Sequence, residues 1–126
     1  MKEQELFEYL VSCCYPDLVK AKSQMSRWDC YSPKSIHRIE LKCRTVHYDT
    51  LLIEKKKYDA MIAKCNDNLD IPMYVNSTPE GVYRFNLYIV NPVWEIQYHN
   101  TTTEFKNNKK IPKEIALLNV SEAEIL

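Results

Sequence analysis

Ile36-His37-Arg38-Ile39-Glu40-Leu41-Lys42-Cys43-Arg44 is the segment that most constrains the fold. Its apolar residues alternate with polar ones, the period of a half-buried β-strand. Ile39, Leu41 and Cys43 then share one face and pack into a core. Glu40 and Lys42 share the other. A rigid element therefore presents a carboxylate and an ammonium side by side. A carboxylate ligates hard divalent cations, and a neighbouring amine stabilises charge on a phosphate or orients a water.

The rest of the chain sets limits on what surrounds this strand. One glycine in 126 residues excludes a P-loop and a dinucleotide-binding Gly-rich turn. The length suits one compact domain over 1–126. No run of about 18 apolar residues predicts a membrane span. The first residues lack a signal-peptide pattern, which predicts an intracellular protein. Five cysteines, without a C-x-x-C pair, read as reduced thiols acting as small buried hydrophobes.

Net charge is zero but unevenly spread. From Lys20 to Lys64 there are eleven Lys/Arg against five Asp/Glu, a net of +6; the remainder carries six against twelve, a net of −6. The basic half contains the Glu-x-Lys strand, and a positive field beside carboxylates suits a polyanionic substrate.

Helical spacing of Leu6, Phe7, Leu10, Val11 and Cys14 predicts an amphipathic helix over 3–14, with Glu3 on its inward side. Tyr15-Pro16-Asp17 redirects the chain. Strands over 25–31 and 36–44, joined by a turn at Ser32-Pro33-Lys34-Ser35, predict a hairpin that brings Asp29 beside Glu40. A second helix is expected over 50–65, capped by Asp49 or Thr50. Strands follow at Ile71–Ser77 and Val82–Val90 about a turn at 78–81, then at 94–99 and Ile115–Leu118. Residues 100–113 read as loop, and Ser121 to Glu124 as the start of a helical turn.

This order of elements, with Asp29 eleven positions before a Glu40-x-Lys42 strand and a lysine-rich helix after it, resembles the PD-(D/E)XK nuclease superfamily of restriction endonucleases, Holliday junction resolvases and phage nucleases. The resemblance covers roughly residues 1–65. It implies an α/β (α+β) fold with a restriction-endonuclease-like core, a central mixed β-sheet flanked by helices. It also implies a divalent-metal-dependent DNA endonuclease, of a size that suits a phage or mobile element. Asp29 and Glu40, with the backbone carbonyl of Leu41, would hold Mg²⁺ or Mn²⁺. Lys42 would orient the attacking water or stabilise the transition state. Glu3 would assist from the first helix, and Lys57, with Lys55 as the weaker candidate, would reach the phosphate from the second. Trp28 stands where the family has proline, and Asp17 is the rival to Asp29. DNA is the implied partner. So small a nuclease acts on DNA structure, as a homodimer or within a larger complex. The alternative is a catalytically inactive nucleic-acid or protein binding module with the same fold.

Of the remaining candidates, His37 points away from Glu40, and His47, following the strand, reads as a plain loop histidine, with approach to a substrate phosphate as the alternative; His99 carries no assigned role. Trp94, Tyr98 and Phe105 have either base stacking or core packing as their role. A single hard cation bridging the acidic pair requires the Asp29 and Glu40 carboxyls within about 5 Å.

Overall fold

The computed structural model describes residues 1–23, 26, 28–100 (the side chain of Asn100 apart) and 109–126. The elements that position the strand of interest are α1 (Glu3–Cys13), β1 (Val19–Lys20), β2 (Cys30–Ser32), β3 (His37–Cys43), β4 (Thr50–Glu54), α2 (Lys55–Asn68), β5 (Ile71–Thr78) and β6 (Gly81–Asn86). They are followed by β7 (Glu95–Asn100), β8 (Lys110–Asn119), a 3₁₀ turn at Val120–Glu122, and β9 (Glu124–Ile125).

A six-stranded sheet runs β1-β2-β3-β5-β6-β9 and a three-stranded one runs β4-β8-β7. The larger sheet is mixed. β2 and β3 form the expected antiparallel hairpin, with Cys30 opposite Ile39. β3 and β5 are parallel, with Glu40 beside Tyr74 and Lys42 beside Asn76. A parallel neighbour needs a long crossover, here β4 and α2.

Both faces of this sheet are covered. Leu6 and Leu10 of α1 pack on Cys30, Ile39, Leu41, Met73 and Val75. On the other face Met61 of α2 joins Leu51, Ile53, Tyr74, Phe85, Ala116 and Leu118 in a second core. The predicted alternation in β3 therefore holds, since Ile39 and Leu41 face α1 and Glu40 and Lys42 face the α2 side. No described helix is long and apolar enough to cross a membrane.

Several boundaries differ from the sequence reading. Residues 50–54 are a strand, not helix: Leu51 and Ile53 point into the core, and the segment pairs with β8 from Asn119 to Ile115. The second helix begins at Lys55, so Glu54, not Asp49 or Thr50, stands at its N-cap. Of the strand expected over 25–31, residues 30–32 are the strand and Trp28 and Asp29 stand just before it, while 25 and 27 lie outside the described residues. β8 extends back to Lys110 through the segment read as loop, and β6 ends at Asn86. The closing turn is capped by Asn119, whose side chain accepts from the Ser121 N–H, not by Ser121. Cys30 and Cys65 are the buried small hydrophobes expected, but Cys13 is exposed.

A buried ion pair braces β3 on its polar face. Arg38 lies between the rings of Trp28 (4.8 Å) and Tyr31 (4.6 Å), and its Nε donates to Asp70 at 2.5 Å. The two side chains are 12% and 4% exposed. Removing one partner strands a buried charge. Asp70→Ala is therefore expected to cost about 3–5 kcal/mol of stability in urea denaturation; a loss under about 1 kcal/mol would mean that water solvates Arg38 freely.

Candidate active site

Asp29 is fixed from two directions. Its N–H donates to the Ile39 carbonyl at 2.8 Å, and the Leu41 N–H donates to its carboxylate at 2.8 Å. Main-chain groups of alternate strand residues point to the same side. Ile39 and Leu41 thus both face β2, and the Leu41 carbonyl points past the last β2 pair towards the Asp29 side.

Glu40 meets Asp29 from the neighbouring position. The Asp29 carboxyl acts on that of Glu40, and the Glu40 Oε2 lies 3.1 Å from the Lys57 ammonium of α2. The Glu40 side chain is 14% exposed. Burial pushes its pKa up to about 7, the Asp29 hydrogen bond and negative charge push the same way, and Lys57 pulls against them. Glu40 therefore shares a partly dry site with a second carboxyl, and the Lys57 ammonium favours its ionised form.

Lys42 is exposed on the same face as Glu40. Glu3 arrives from the α1 side. It lines a cleft of about 390 Å³ together with Asp29 and Leu41, while Glu40 is not among the residues of that wall. Glu3, Asp29 and Glu40 nevertheless all act on the Cys30 thiol, which burial first and then these acids push up to about 12. Among the described residues no group of three or more His, Cys, Asp and Glu side chains converges as metal ligands. The oxygen donors within reach are two carboxylates and a main-chain carbonyl. Hard donors of this kind fit Mg²⁺ or Mn²⁺, and a divalent cation would stabilise the ionised Glu40 that burial and the Asp29 carboxyl disfavour.

The other candidates are engaged elsewhere. Asp17 accepts from the Ser32 hydroxyl (2.9 Å) and the Lys34 N–H (2.7 Å), tying down the β2–β3 turn. The Lys34 backbone bond leads in holding its carboxyl below the usual range. Lys55 pairs with Asp59 at 2.7 Å. His37 bonds the Tyr15 hydroxyl at 2.7 Å, at the start of β3, and burial lowers its pKa. His47 bonds Thr78 between the carboxylates of Asp49 and Glu80, each 3.6 Å away, a poor place to receive a phosphate. His99 bonds Gln97 within β7. Trp94 packs edge-on against Tyr58 at 5.2 Å in the second core, whereas Tyr98 is exposed. Phe105 lies outside the described residues.

Sequence reasoning did not find the polar floor beneath the site. Arg44 donates to Asn76 (3.0 Å), to the Tyr74 hydroxyl (3.1 Å) and to the Leu52 carbonyl (2.7 Å). Tyr74 also donates to Leu52 at 2.8 Å, and burial pushes its hydroxyl up to about 12. The network binds β4 to the end of β3 next to Lys42. The available signal was Tyr74 and Asn76 alternating with Met73 and Val75, which places polar groups opposite Glu40 and Lys42 across a parallel pair.

No protein-family model matches the chain, and no curated protein shows significant sequence similarity to it. Its fold is similar to that of Hjc, a Holliday junction resolvase from the archaeal hyperthermophile Archaeoglobus fulgidus, with a TM-score of 0.56 over 95% of this chain and 89% of that one, at 13% identity. The expected fold is thus borne out: the chain has an α/β, restriction-endonuclease-like fold like that of Hjc, with a mixed central sheet and flanking helices.

Proposed function

We propose that the protein is a divalent-metal-dependent endonuclease that hydrolyses phosphodiester bonds in DNA. The observation that carries this reading is the Asp29–Glu40 pair, with Glu40 held near neutrality, on a nuclease fold beside an exposed Lys42. Asp29 and Glu40, with the Leu41 carbonyl, would hold Mg²⁺ or Mn²⁺. When bound, the cation lowers the pKa of a water and neutralises charge on the phosphate. The chain's own groups do the rest. The Leu41 N–H and the Ile39 carbonyl hold Asp29 in place. Lys42 donates to the non-bridging phosphate oxygens as charge builds, or orients the attacking water. Lys57 lowers the cost of ionising Glu40 before the cation arrives and is then free to turn to phosphate. Glu3, which lines the same cleft as Asp29 and Leu41, contributes negative charge.

The similarity to a junction resolvase favours branched DNA as substrate. Cutting a branch symmetrically takes two sites, and so a homodimer. The test is cleavage of branched and linear DNA with Mg²⁺, with Mn²⁺ and with EDTA. Cleavage of branched DNA with either metal, lost in EDTA and in Asp29→Asn, is expected. Metal-independent cleavage, or equal rates in Asp29→Asn, would refute the reading.

One observation favours a second reading, a non-catalytic binding module: the Lys57–Glu40 pair satisfies Glu40 without a metal. That reading expects DNA binding indifferent to Mg²⁺ and no cleavage of any substrate.

A further inference from the structure

The cleft beside the acidic pair has a second wall. Asp29, Leu41 and Glu3 line one part of it, and Lys20, Gln4 and Phe7 another. Lys20 belongs to the edge strand β1, where it pairs with Cys30, the residue after Asp29. The next residue, Ala21, donates its N–H to the Asp29 carbonyl at 2.8 Å. The lysine is therefore tied to the acidic pair through adjacent main chain.

Its side chain is held by neutral groups. The ammonium donates to the Gln4 side-chain oxygen and sits 5.1 Å from the centroid of the Phe7 ring. Gln4 is anchored in turn on Glu8 at 3.1 Å. Three other lysines contrast with this, Lys57 being paired with Glu40, Lys55 with Asp59 and Lys113 with Glu54, whereas Lys42, like Lys20, has no carboxylate partner among the described residues. Among the described residues Lys20 makes no ion pair with a carboxylate. Its charge also opposes those of Asp29, Glu3 and Glu40 at the Cys30 thiol. A cation oriented by an amide and a ring keeps its full charge for an anion in the cleft.

We infer that Lys20 binds a backbone phosphate of the nucleic-acid strand next to the scissile phosphate, which the cation proposed at Asp29 and Glu40 would engage, fixing the register of the strand in the cleft. The inference rests on the phosphodiesterase reading and adds a substrate contact from a segment outside the Glu-x-Lys hairpin. A contact of this kind strengthens binding without choosing a base. Lys20 is exposed and Gln retains a hydrogen bond to Gln4, so Lys20→Gln folds as the wild type does.

The experiment is the salt dependence of DNA binding by the full chain in EDTA, where hydrolysis is off. For Lys20→Gln the slope of log Kobs against log[salt] is expected to fall in magnitude by about 0.9, with Kd raised roughly fivefold to tenfold near 0.1 M salt. Lys20→Arg should keep the wild-type slope. In Mg²⁺ the same Lys20→Gln change should raise KM and leave kcat at saturating DNA within about twofold. Wild-type binding with salt slope and Kd unchanged in Lys20→Gln overturns the assignment of Lys20 alone. Absence of salt-dependent DNA binding by the wild type overturns the underlying reading and this inference together.

Discussion

Lys42→Ala is expected to lower metal-dependent DNA cleavage by about 10²–10³-fold in kcat, the usual effect of deleting one donor aimed at developing charge. The same change should leave stability within about 0.5 kcal/mol, because Lys42 is exposed and makes no ion pair among the described residues. Binding of DNA should weaken far less than turnover falls, since the interaction is made mainly in the transition state. Single-turnover cleavage, urea denaturation and DNA binding in EDTA separate the three quantities. A variant that cuts as fast as the wild type would remove Lys42 from the chemistry. One that binds DNA as poorly as it cuts would make Lys42 a ground-state phosphate contact instead.

Glu40→Gln should abolish cleavage and, in the absence of metal, make the protein more stable. The sign follows from the direction of the shift. Glu40 is pushed from an ordinary 4.5 up to about 7, so the folded protein holds this proton more tightly than the unfolded chain does. The associated stability is fully present below pH 4.5 and is lost as pH rises through 7. Above pH 7 the metal-free protein then carries an ionised Glu40 at a cost of about 3 kcal/mol, taking about 1.4 kcal/mol per pKa unit. Glutamine imitates the protonated form and can donate to Asp29. In EDTA, Glu40→Gln should exceed the wild type by up to about 3 kcal/mol at pH 8 and match it near pH 4. Denaturation curves at the two pH values test this. Equal destabilisation of the variant at both would show that the Lys57 pair, not the burial of the Glu40 carboxylate beside Asp29, dominates the site.

These two expectations express one trade-off. An active site that gathers a cation must first gather the charges that the cation will neutralise, and those charges oppose folding until it arrives. The Leu41 N–H and Lys57 offset part of that opposition, and Arg38 with Asp70 holds the same strand rigid from its polar face.

The sequence disclosed this hairpin because β-strand alternation leaves little freedom. Once Ile39 and Leu41 face a helix, Glu40 and Lys42 must face away, and a four-residue turn brings Asp29 alongside. The segment 50–54 was misread for a related reason. Leu51, Leu52 and Ile53 suit either a helix start or a strand, and Asp49-Thr50 imitates an N-cap. Only pairing with β8, some sixty residues on, decides between them. That partner was itself hidden, because the Lys110–Lys113 end of β8 pairs only with β7 and stays polar. Lys20 carried no signal in the sequence at all. Its orientation comes from Gln4 and Phe7 on a helix sixteen and thirteen positions earlier, contacts that exist only after folding.

The most direct test of the shared acidic site is Mn²⁺ binding to the wild-type protein between pH 5.5 and 8.5, followed by electron paramagnetic resonance of the free ion. Mn²⁺ must displace the Glu40 proton below pH 7, so affinity should climb up to about tenfold per pH unit there and level off above it. Asp29→Asn and Glu40→Gln should each abolish this binding. Affinity that ignores pH across 7, or that survives either substitution, would contradict a cation site built on Asp29 and Glu40.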